Sequence, residues 1–148
     1  MRGFLENKKI EIRNPNAIRP WQHVLDLLRG YLLLIEKLWD DGQQFSGSWN
    51  FGPDTKEIQP VSWIVQKLNS KWNFNIETLK QESFHEEQKL FLDSSKSHTE
   101  LGWQPKFDLN TTLDKTIEWY DKFRTNQNMN EISNKQLDDY IGLENVIS

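Results

Sequence analysis

The chain contains no cysteine, and this absence excludes several kinds of chemistry at once. A disulfide framework, a catalytic thiolate and any zinc site built on cysteine are ruled out. No apolar run approaches the roughly 18 residues needed to span a bilayer. The first residues, Met1 to Glu6, also lack the apolar stretch of a leader peptide. We therefore expect a cytoplasmic protein with no membrane anchor.

Charge of one sign is not concentrated in any part of the sequence. The net charge is −4, and the Lys and Arg residues form no cluster. We therefore expect no nucleic-acid partner and no binding to an acidic membrane surface. A small anionic ligand is still allowed, because it needs very few well-placed cations. With 148 residues, seven Trp and eight Phe, the chain can bury the core of one domain.

A glycine-rich turn suitable for a dinucleotide is also missing. Such a turn joins the first strand and helix of a dinucleotide-binding domain, where the pyrophosphate must approach bare backbone. Gly42, Gly47 and Gly52 surround a loop and a predicted strand instead. We therefore expect no dinucleotide cofactor to bind to this chain alone.

The remaining reactive side chains form no familiar catalytic or metal-binding pattern. None of the three tyrosines is followed four residues later by Lys, since Ile35, Arg124 and Glu144 occupy those positions. The histidines, which are His23, His85 and His98, lack a partner at metal-ligand spacing. No serine lies in a Gly-flanked nucleophile turn. The sequence predicts a binding domain without catalytic or metal-ligating residues of its own.

The first half of the sequence alternates between strand-like and helix-like segments. Lys9 to Arg13 alternates charged and apolar residues, which predicts a short strand. Trp21 to Trp39 predicts a helix that is buried on most of its circumference. Ser48 to Phe51 predicts a buried strand that ends at a Gly-Pro turn. Val61 to Trp72 then has the apolar spacing of a helix lying on a sheet.

The second half continues the same alternation. Short strands are predicted at Phe74 to Glu77 and at Lys89 to Leu92. The Asp93-Ser94-Ser95 group predicts the start of a short helix that ends at Gly102, and Asp108 predicts the cap of a longer one. The stripe of this last helix consists of Leu109, Leu113, Ile117 and Tyr120. The order of elements predicts an α/β fold.

Residues 13–26 carry a resemblance to a known family. Their sequence, RNPNAIRPWQHVLD, resembles the RNPxAxRPWQHVL signature of the CDP-glucose 4,6-dehydratases, within the extended short-chain dehydrogenase/reductase superfamily. The likeness continues in order through WNFGP at Trp49, VSWIV at Val61, LDSSK at Leu92, LGWQP at Leu101 and TIEWY at Thr116. The WNFGP-like and LGW-P pieces are common to many nucleotide-sugar epimerases and dehydratases, whereas RPWQHVL is specific to the CDP-glucose branch.

The resemblance covers residues 1–124 and implies the carboxy-terminal, substrate-binding part of an extended short-chain dehydrogenase/reductase fold, with short strands and packed helices. Residues 125–148 are polar and rich in Asn and Gln, and we expect a loose tail there. The Gly-rich dinucleotide-binding half of the family fold is absent from this sequence.

The resemblance also implies what the complete family member does. It oxidises the sugar of CDP-glucose at C4 with NAD, eliminates water across C5 and C6, and returns the hydride to C6. The Tyr, Lys and Thr that perform these steps lie amino-terminal to everything present here. The chain is then expected to bind the CDP-sugar, to be inactive alone and to need the missing half. Complete family members are expected to be homo-oligomers.

Four residues of this sequence fall on substrate-contacting positions of the family. Arg19 matches the arginine that contacts the nucleotide diphosphate. Glu86 falls where relatives place an acidic residue on the ribose hydroxyls, and His85 is its neighbour facing the same pocket. Arg13, at the end of the predicted strand bordering the nucleobase, is expected to help read the base. The resemblance thus implies a nucleotide-sugar site.

Other interpretations of the same residues stay open at this point. Without the signature, Arg19 is better explained as a surface arginine before a helix or as the partner of Asp26 than as a ligand contact. His85 and Glu86 also fit an exposed loop. We expect Trp21 and the other tryptophans to serve in packing. The chain as a whole could also be a standalone, non-catalytic module that binds a nucleotide or a protein.

Overall fold

The computed structural model describes residues 2–6, 8–73, 75–79 and 89–143, in which short strands alternate with helices as the sequence predicts. The strands are β1 (Ile10–Ile12), β2 (Ile18–Arg19), β3 (Gln59–Pro60) and β4 (Ile76–Thr78). The helices are α1 (Arg2–Leu5), α2 (Val24–Asp40), α3 (Gly42–Phe45), α4 (Val61–Trp72), α5 (Ser95–Leu101), α6 (Leu109–Arg124) and α7 (Met129–Gly142). None of the helices in these ranges is long and apolar enough to cross a membrane.

Two small sheets organise the amino-terminal half. Strands β1 and β4 are parallel, with Ile10 opposite Ile76 and Ile12 opposite Thr78. Strands β2 and β3 are antiparallel, with Arg19 opposite Gln59. The strands predicted around Lys9 to Arg13 and Phe74 to Glu77 are therefore confirmed as β1 and β4.

Two other predicted strands are wrong for this chain by itself. Ser48 to Phe51 forms neither strand nor helix, although Phe51 is buried. Lys89 to Leu92 is reduced to a single bridge between Lys89 and Ile18. A strand exists only where a neighbouring backbone completes its hydrogen-bond ladder. The described part of the chain pairs Ser48 to Phe51 with no strand and pairs the second segment with Ile18 alone.

Buried apolar residues of the described ranges form two separate clusters. The first contains Phe45, Phe51, Leu101 and Trp103, with Leu27, Leu33, Leu34 and Trp49 packed against it. The second contains Ile64, Leu109 and Leu113, with Trp21, Trp63 and Leu68 packed against it. Helix α6 begins as predicted, because an Asp108 carboxyl oxygen accepts a 2.7 Å hydrogen bond from the Thr111 amide.

Helix α2 is less buried than its sequence predicts. Its apolar exposed residues, with their exposed fractions, are Val24 (58%), Leu28 (46%), Tyr31 (47%), Leu32 (67%), Ile35 (59%), Leu38 (37%) and Trp39 (90%). We call these seven residues the α2 apolar face. The prediction that Trp39 serves in packing is wrong, because its side chain is 90% exposed.

The residues after Arg124 also differ from the loose tail expected from their composition. Met129–Gly142 forms α7, which begins where the Asn128 side chain accepts a hydrogen bond from the Asn130 amide. Only Gln136 and Tyr140 of this helix are buried. Composition misses the helix because few of its residues are apolar and buried, and those that are buried contact residues distant in sequence. The domain boundary at residue 124 stays a prediction.

Candidate functional site

The segment that carries Arg19 is held against the start of α4 by main-chain hydrogen bonds. The Val61 amide donates to the Ala17 carbonyl at 2.9 Å, and the Ser62 amide donates to the Pro15 carbonyl at 2.8 Å. Ala17 is only 1% exposed. Because the first amides of a helix have no partner inside the helix, these carbonyls both satisfy α4 and fix the path of the chain into Arg19.

Trp21 fixes the other end of the same segment. Its indole Nε1 donates a 2.9 Å hydrogen bond to the carbonyl of Gln59, in strand β3. The ring packs against the cluster formed by Ile64, Leu109 and Leu113. The packing role predicted for Trp21 is therefore confirmed, and the ring positions the backbone two residues after Arg19.

The Arg19 guanidinium is half-buried and uses Nη1 to donate a 2.9 Å hydrogen bond to the Ile18 carbonyl. Asp26, the alternative partner considered for Arg19, is fully buried. One of its carboxyl oxygens accepts 2.7 Å hydrogen bonds from Tyr140 Oη and from the Lys106 amide. The structure thus gives Asp26 a role in joining helices, which the sequence did not reveal.

Arg13 lies just beyond the carboxyl end of β1 and is exposed. Since β1 and β4 are parallel, their carboxyl ends share one edge of the sheet. The Leu79 amide, just after β4, donates a 3.0 Å hydrogen bond to the Ile12 carbonyl at this edge. In open α/β folds, ligands bind outside the carboxyl ends of parallel strands. Arg13 is therefore in a suitable place for a ligand contact.

His85 and Glu86 lie outside the described residues, so their predicted roles stay predictions. The described residues on either side of them are informative. On one side, Leu79 is bonded to Ile12, next to Arg13. On the other side, the Leu90 amide donates a 3.1 Å hydrogen bond to the Ile18 carbonyl, next to Arg19. Of the described residues that flank positions 80–88, Leu79 is thus bonded next to Arg13 and Leu90 next to Arg19.

His23 has a structural role that the sequence analysis did not assign. Its Nδ1 accepts a 3.2 Å hydrogen bond from the Leu25 amide and so caps α2. An accepting Nδ1 carries no proton, so the neutral ring must carry its proton on Nε2. Burial lowers the pKa of His23, nearby Asp26 raises it and Lys115 lowers it. The sequence signal for this capping role is the position of His23 directly before the predicted apolar helix.

Two hollows adjoin this capping histidine. A cavity of about 330 Å³ lies between the start of α2 and helices α6 and α7, and its lining includes His23, Lys115, Trp119 and Gln136. A groove of about 520 Å³ lies on the other side, lined by His23, Val24, Leu27, Tyr31, Trp49 and Phe51 among others. We call the second hollow the α2 groove. Neither hollow contains the predicted arginines in its lining.

The fold of the chain is similar to part of the fold of nucleotide-sugar epimerases and dehydratases. It superimposes on UDP-glucose 4-epimerase from Thermotoga maritima with a TM-score of 0.64 and 24% identity, covering 82% of this chain and 37% of that one. For dTDP-glucose 4,6-dehydratase from Bacillus anthracis the TM-score is 0.63 and the identity 21%, with the same coverage. The predicted part of an extended short-chain dehydrogenase/reductase fold is therefore confirmed.

Sequence similarity points to one kind of enzyme, a CDP-glucose 4,6-dehydratase, as a relative of the chain. The chain is 36% identical over 143 residues to CDP-glucose 4,6-dehydratase from Salmonella typhimurium, which covers 95% of this chain and 40% of that enzyme. The resemblance to CDP-glucose 4,6-dehydratases, limited to their carboxy-terminal portion, is confirmed. The chain thus spans about two fifths of the curated relative it matches. No protein-family model matches the chain.

Proposed function

We propose that this chain is the nucleotide-sugar-binding portion of a CDP-glucose 4,6-dehydratase and that it is inactive without the remainder of such an enzyme. The observation that carries this proposal is the 36% identity to the Salmonella typhimurium enzyme along 95% of this chain. The RPWQHVL run begins with Arg19, and the segment around Arg19 is held by hydrogen bonds on both sides of it.

Arg19 supplies the chemistry that a nucleotide diphosphate requires. A guanidinium stays charged at every physiological pH and donates in a planar fork that fits phosphate oxygens. Its hydrogen bond to Ile18 uses one of several donors and helps to hold the group in place. Fixing the cation before binding reduces the entropy lost when the ligand is captured.

The other proposed contacts would complete the nucleotide site. Glu86 would accept hydrogen bonds from the ribose hydroxyls, with His85 beside it. Arg13 would contact the base from the carboxyl edge of the β1–β4 sheet. Supporting this arrangement, the described residues flanking positions 80–88 are bonded to Ile12 and Ile18, immediately before the two arginines.

The dehydration itself would belong to the rest of the enzyme. The sequence has no glycine-rich turn for a dinucleotide and no Tyr with Lys four residues later. NAD would accordingly be held mainly by the missing portion, and this chain would orient the CDP-sugar toward it. The complete protein is expected to convert CDP-glucose to CDP-4-dehydro-6-deoxyglucose in the cytoplasm.

The test is calorimetric titration of the purified chain with CDP-glucose, CDP and dTDP-glucose. We expect both CDP ligands to bind and dTDP-glucose to bind more weakly. Arg19→Ala should weaken CDP binding at least about tenfold, because it removes charge-assisted hydrogen bonds to the diphosphate. Arg19→Lys keeps the charge and should recover only part of the affinity.

Lys71→Ala is the matched control, since Lys71 is an exposed cation at the end of α4. It should bind CDP as the unchanged chain does. Equal binding by Arg19→Ala would contradict the role of Arg19. Absence of CDP binding by a folded chain would contradict a half-site that forms alone and would favour the standalone protein-binding module.

A further inference from the structure

The cavity of about 330 Å³ between the start of α2 and helices α6 and α7 lies apart from the predicted arginines. Its volume is at the lower end of the range for small-molecule sites, which is roughly 300–1,000 Å³. Most of its wall is apolar and includes the side chains of Val24, Leu25, Trp119 and Tyr120. The few polar groups in the lining therefore decide which kind of ligand fits.

The aromatic rings of this wall are held in place by other side chains. The Trp119 ring stacks on the Phe123 ring, with 5.5 Å between the centroids and 9° between the planes. The Trp119 indole also donates a 3.0 Å hydrogen bond to Ser133 Oγ, which links α6 to α7. The Tyr120 ring meets Trp119 edge-on at 5.2 Å and Trp72 edge-on at 6.4 Å. Because these rings are already fixed, a ligand loses less of its binding free energy to ordering them.

His23 presents a hydrogen-bond donor that no described residue uses. The residue is only 8% exposed, and its Nδ1 accepts the Leu25 amide, so the neutral ring carries its proton on Nε2. No described residue accepts a hydrogen bond from this Nε2, and the atom keeps some contact with open space. The ring borders both the cavity and the α2 groove. A ligand in the cavity can therefore accept a hydrogen bond from His23.

Gln136 of α7 presents the opposite kind of group to the same cavity. Its Nε2 donates to the Lys115 carbonyl at 2.9 Å and to the Glu118 carboxylate at 3.3 Å. Both partners are acceptors, so the side-chain amide is fixed with Oε1 at its other end. Gln136 is 7% exposed, yet Oε1 accepts from no described residue and keeps contact with open space. A ligand that donates to this oxygen is favoured, because a poorly hydrated acceptor without a partner is costly.

The charges around the cavity favour an uncharged ligand. Among the described lining residues, only Lys115 is charged at neutral pH, and its Nζ is paired with the Asp139 carboxylate at 2.7 Å. The hydrogen bond from Lys115 lowers the pKa of Asp139, so the pair is ionised at neutral pH. An anionic ligand would have to displace Asp139, and a cationic one would meet the Lys115 ammonium. Either ligand would also lose its hydration against a mostly apolar wall.

We propose that this cavity is a binding site for a small, uncharged ring compound that carries hydroxyl groups. The apolar part of the ring packs on Trp119 and Tyr120. A hydroxyl group both accepts and donates, so the ligand's hydroxyls accept from His23 Nε2 and donate to Gln136 Oε1. The site joins α2, α6 and α7 and is separate from the proposed nucleotide site, and it does not depend on that site's assignment.

The test is a saturation-transfer NMR titration of the purified chain with trans-1,2-cyclohexanediol at about pH 7.5, where a His with an ordinary or lowered pKa is neutral. Signals of the ligand are observed, so association of the chain does not prevent the measurement. We expect saturable binding with a Kd of about 1–10 mM, as suits so small a ligand. Two matched compounds should bind at least about tenfold more weakly. The ether trans-1,2-dimethoxycyclohexane lacks the donors, and cyclohexanecarboxylate carries a charge.

Substitutions on α7 locate the binding. Ser133 is exposed and lines the cavity, so Ser133→Phe should fill the space and weaken diol binding at least about tenfold. Asn134→Phe is the matched control, because it adds the same ring at the next exposed position, outside the lining. It should bind the diol as the unchanged chain does. His23→Asn keeps a helix cap but withdraws the ring donor, and it should weaken binding at least about threefold.

Several results would overturn the proposal. They are absence of diol binding by the folded chain, equal binding of the diol and its ether, and equal binding by the Ser133→Phe and Asn134→Phe chains. Displacement of the diol by CDP-glucose would also overturn it, because the cavity would then be part of the nucleotide site. Diol binding without CDP binding would instead contradict the proposed function and support the cavity as a separate site.

Discussion

His23 stabilises the start of α2 only while its imidazole is neutral. Its Nδ1 accepts the Leu25 amide, and protonation of Nδ1 would replace an acceptor with a donor. Its ring also meets Phe107 edge-on at 5.2 Å and is buried. Burial lowers the pKa of His23 in the folded chain below its ordinary value of 6.5, so the unfolded chain binds the proton more readily.

Because the pKa of His23 is lower in the folded chain than in the unfolded one, the free energy of unfolding should fall as the pH falls. The stability contribution of a neutral His23 is complete above about pH 6.5 and declines as the pH falls from there toward its lowered pKa. His23→Asn keeps a side chain that caps helices well and does not titrate. Urea unfolding between about pH 5 and 7.5 should show less acid sensitivity in the variant. Parallel pH curves for both proteins would contradict this role.

Helix α7 makes a buried long-range contact near its end, in addition to its contacts with α6. Tyr140 is 3% exposed and donates to the carboxyl group of Asp26 at 2.7 Å, which links α7 to the first turn of α2. The same carboxyl oxygen accepts the Lys106 amide, and the Asp26 carbonyl accepts the Trp103 indole at 3.0 Å. One buried side chain thus joins three separate parts of the chain.

Removing the Tyr140 hydroxyl group should therefore lower stability. Tyr140→Phe is expected to cost about 1–2 kcal/mol of unfolding free energy, because a buried carboxyl oxygen loses a donor while the ring is kept. Chemical denaturation measures the change. Tyr120→Phe is the control, since the half-buried Tyr120 ring packs on Trp72 and Trp119. Equal losses in both variants would show that the hydrogen bond to Asp26 contributes nothing.

At the scale of the whole molecule, the chain buries its carboxy-terminal helices better than its long amino-terminal one. Leu109 of α6 and Tyr140 of α7 are each 3% exposed, whereas Trp39 of α2 is 90% exposed. A surface of this kind is unfavourable in water, because removing apolar area from water lowers the free energy. The chain alone is therefore expected to be poorly stable or to associate with itself.

Sedimentation velocity at rising protein concentration tests this expectation. The unchanged chain should form species larger than a monomer, because the side chains of the α2 apolar face are exposed and can associate. The Leu32→Lys and Ile35→Lys pair should restore the monomer. A chain that stays monomeric at every concentration and unfolds cooperatively would contradict the expectation.

The confirmed predictions from sequence depend on neighbouring residues, whereas the wrong ones depend on residues far apart in the chain. The capping role of Asp108 and the helix after it are confirmed, because both depend on residues within one turn. The strand at Ser48 to Phe51 fails in this chain, because a strand needs a second backbone beside it. The helix α7 was missed for a related reason, since its contacts are with residues distant in sequence, among them Tyr140 with Asp26, 114 positions away.

The sequence by itself determined the α/β order of elements and the resemblance to CDP-glucose 4,6-dehydratases, because periodicity, caps and the RPWQHVL run are all local patterns. The roles of Arg13, Arg19, His85 and Glu86 are still predictions from that resemblance. Only the tertiary structure revealed the buried Asp26 junction, the capping tautomer of His23 and the exposure of the α2 apolar face. These features depend on contacts between residues far apart in the sequence. The free energy of such contacts cannot be read from any short segment of sequence.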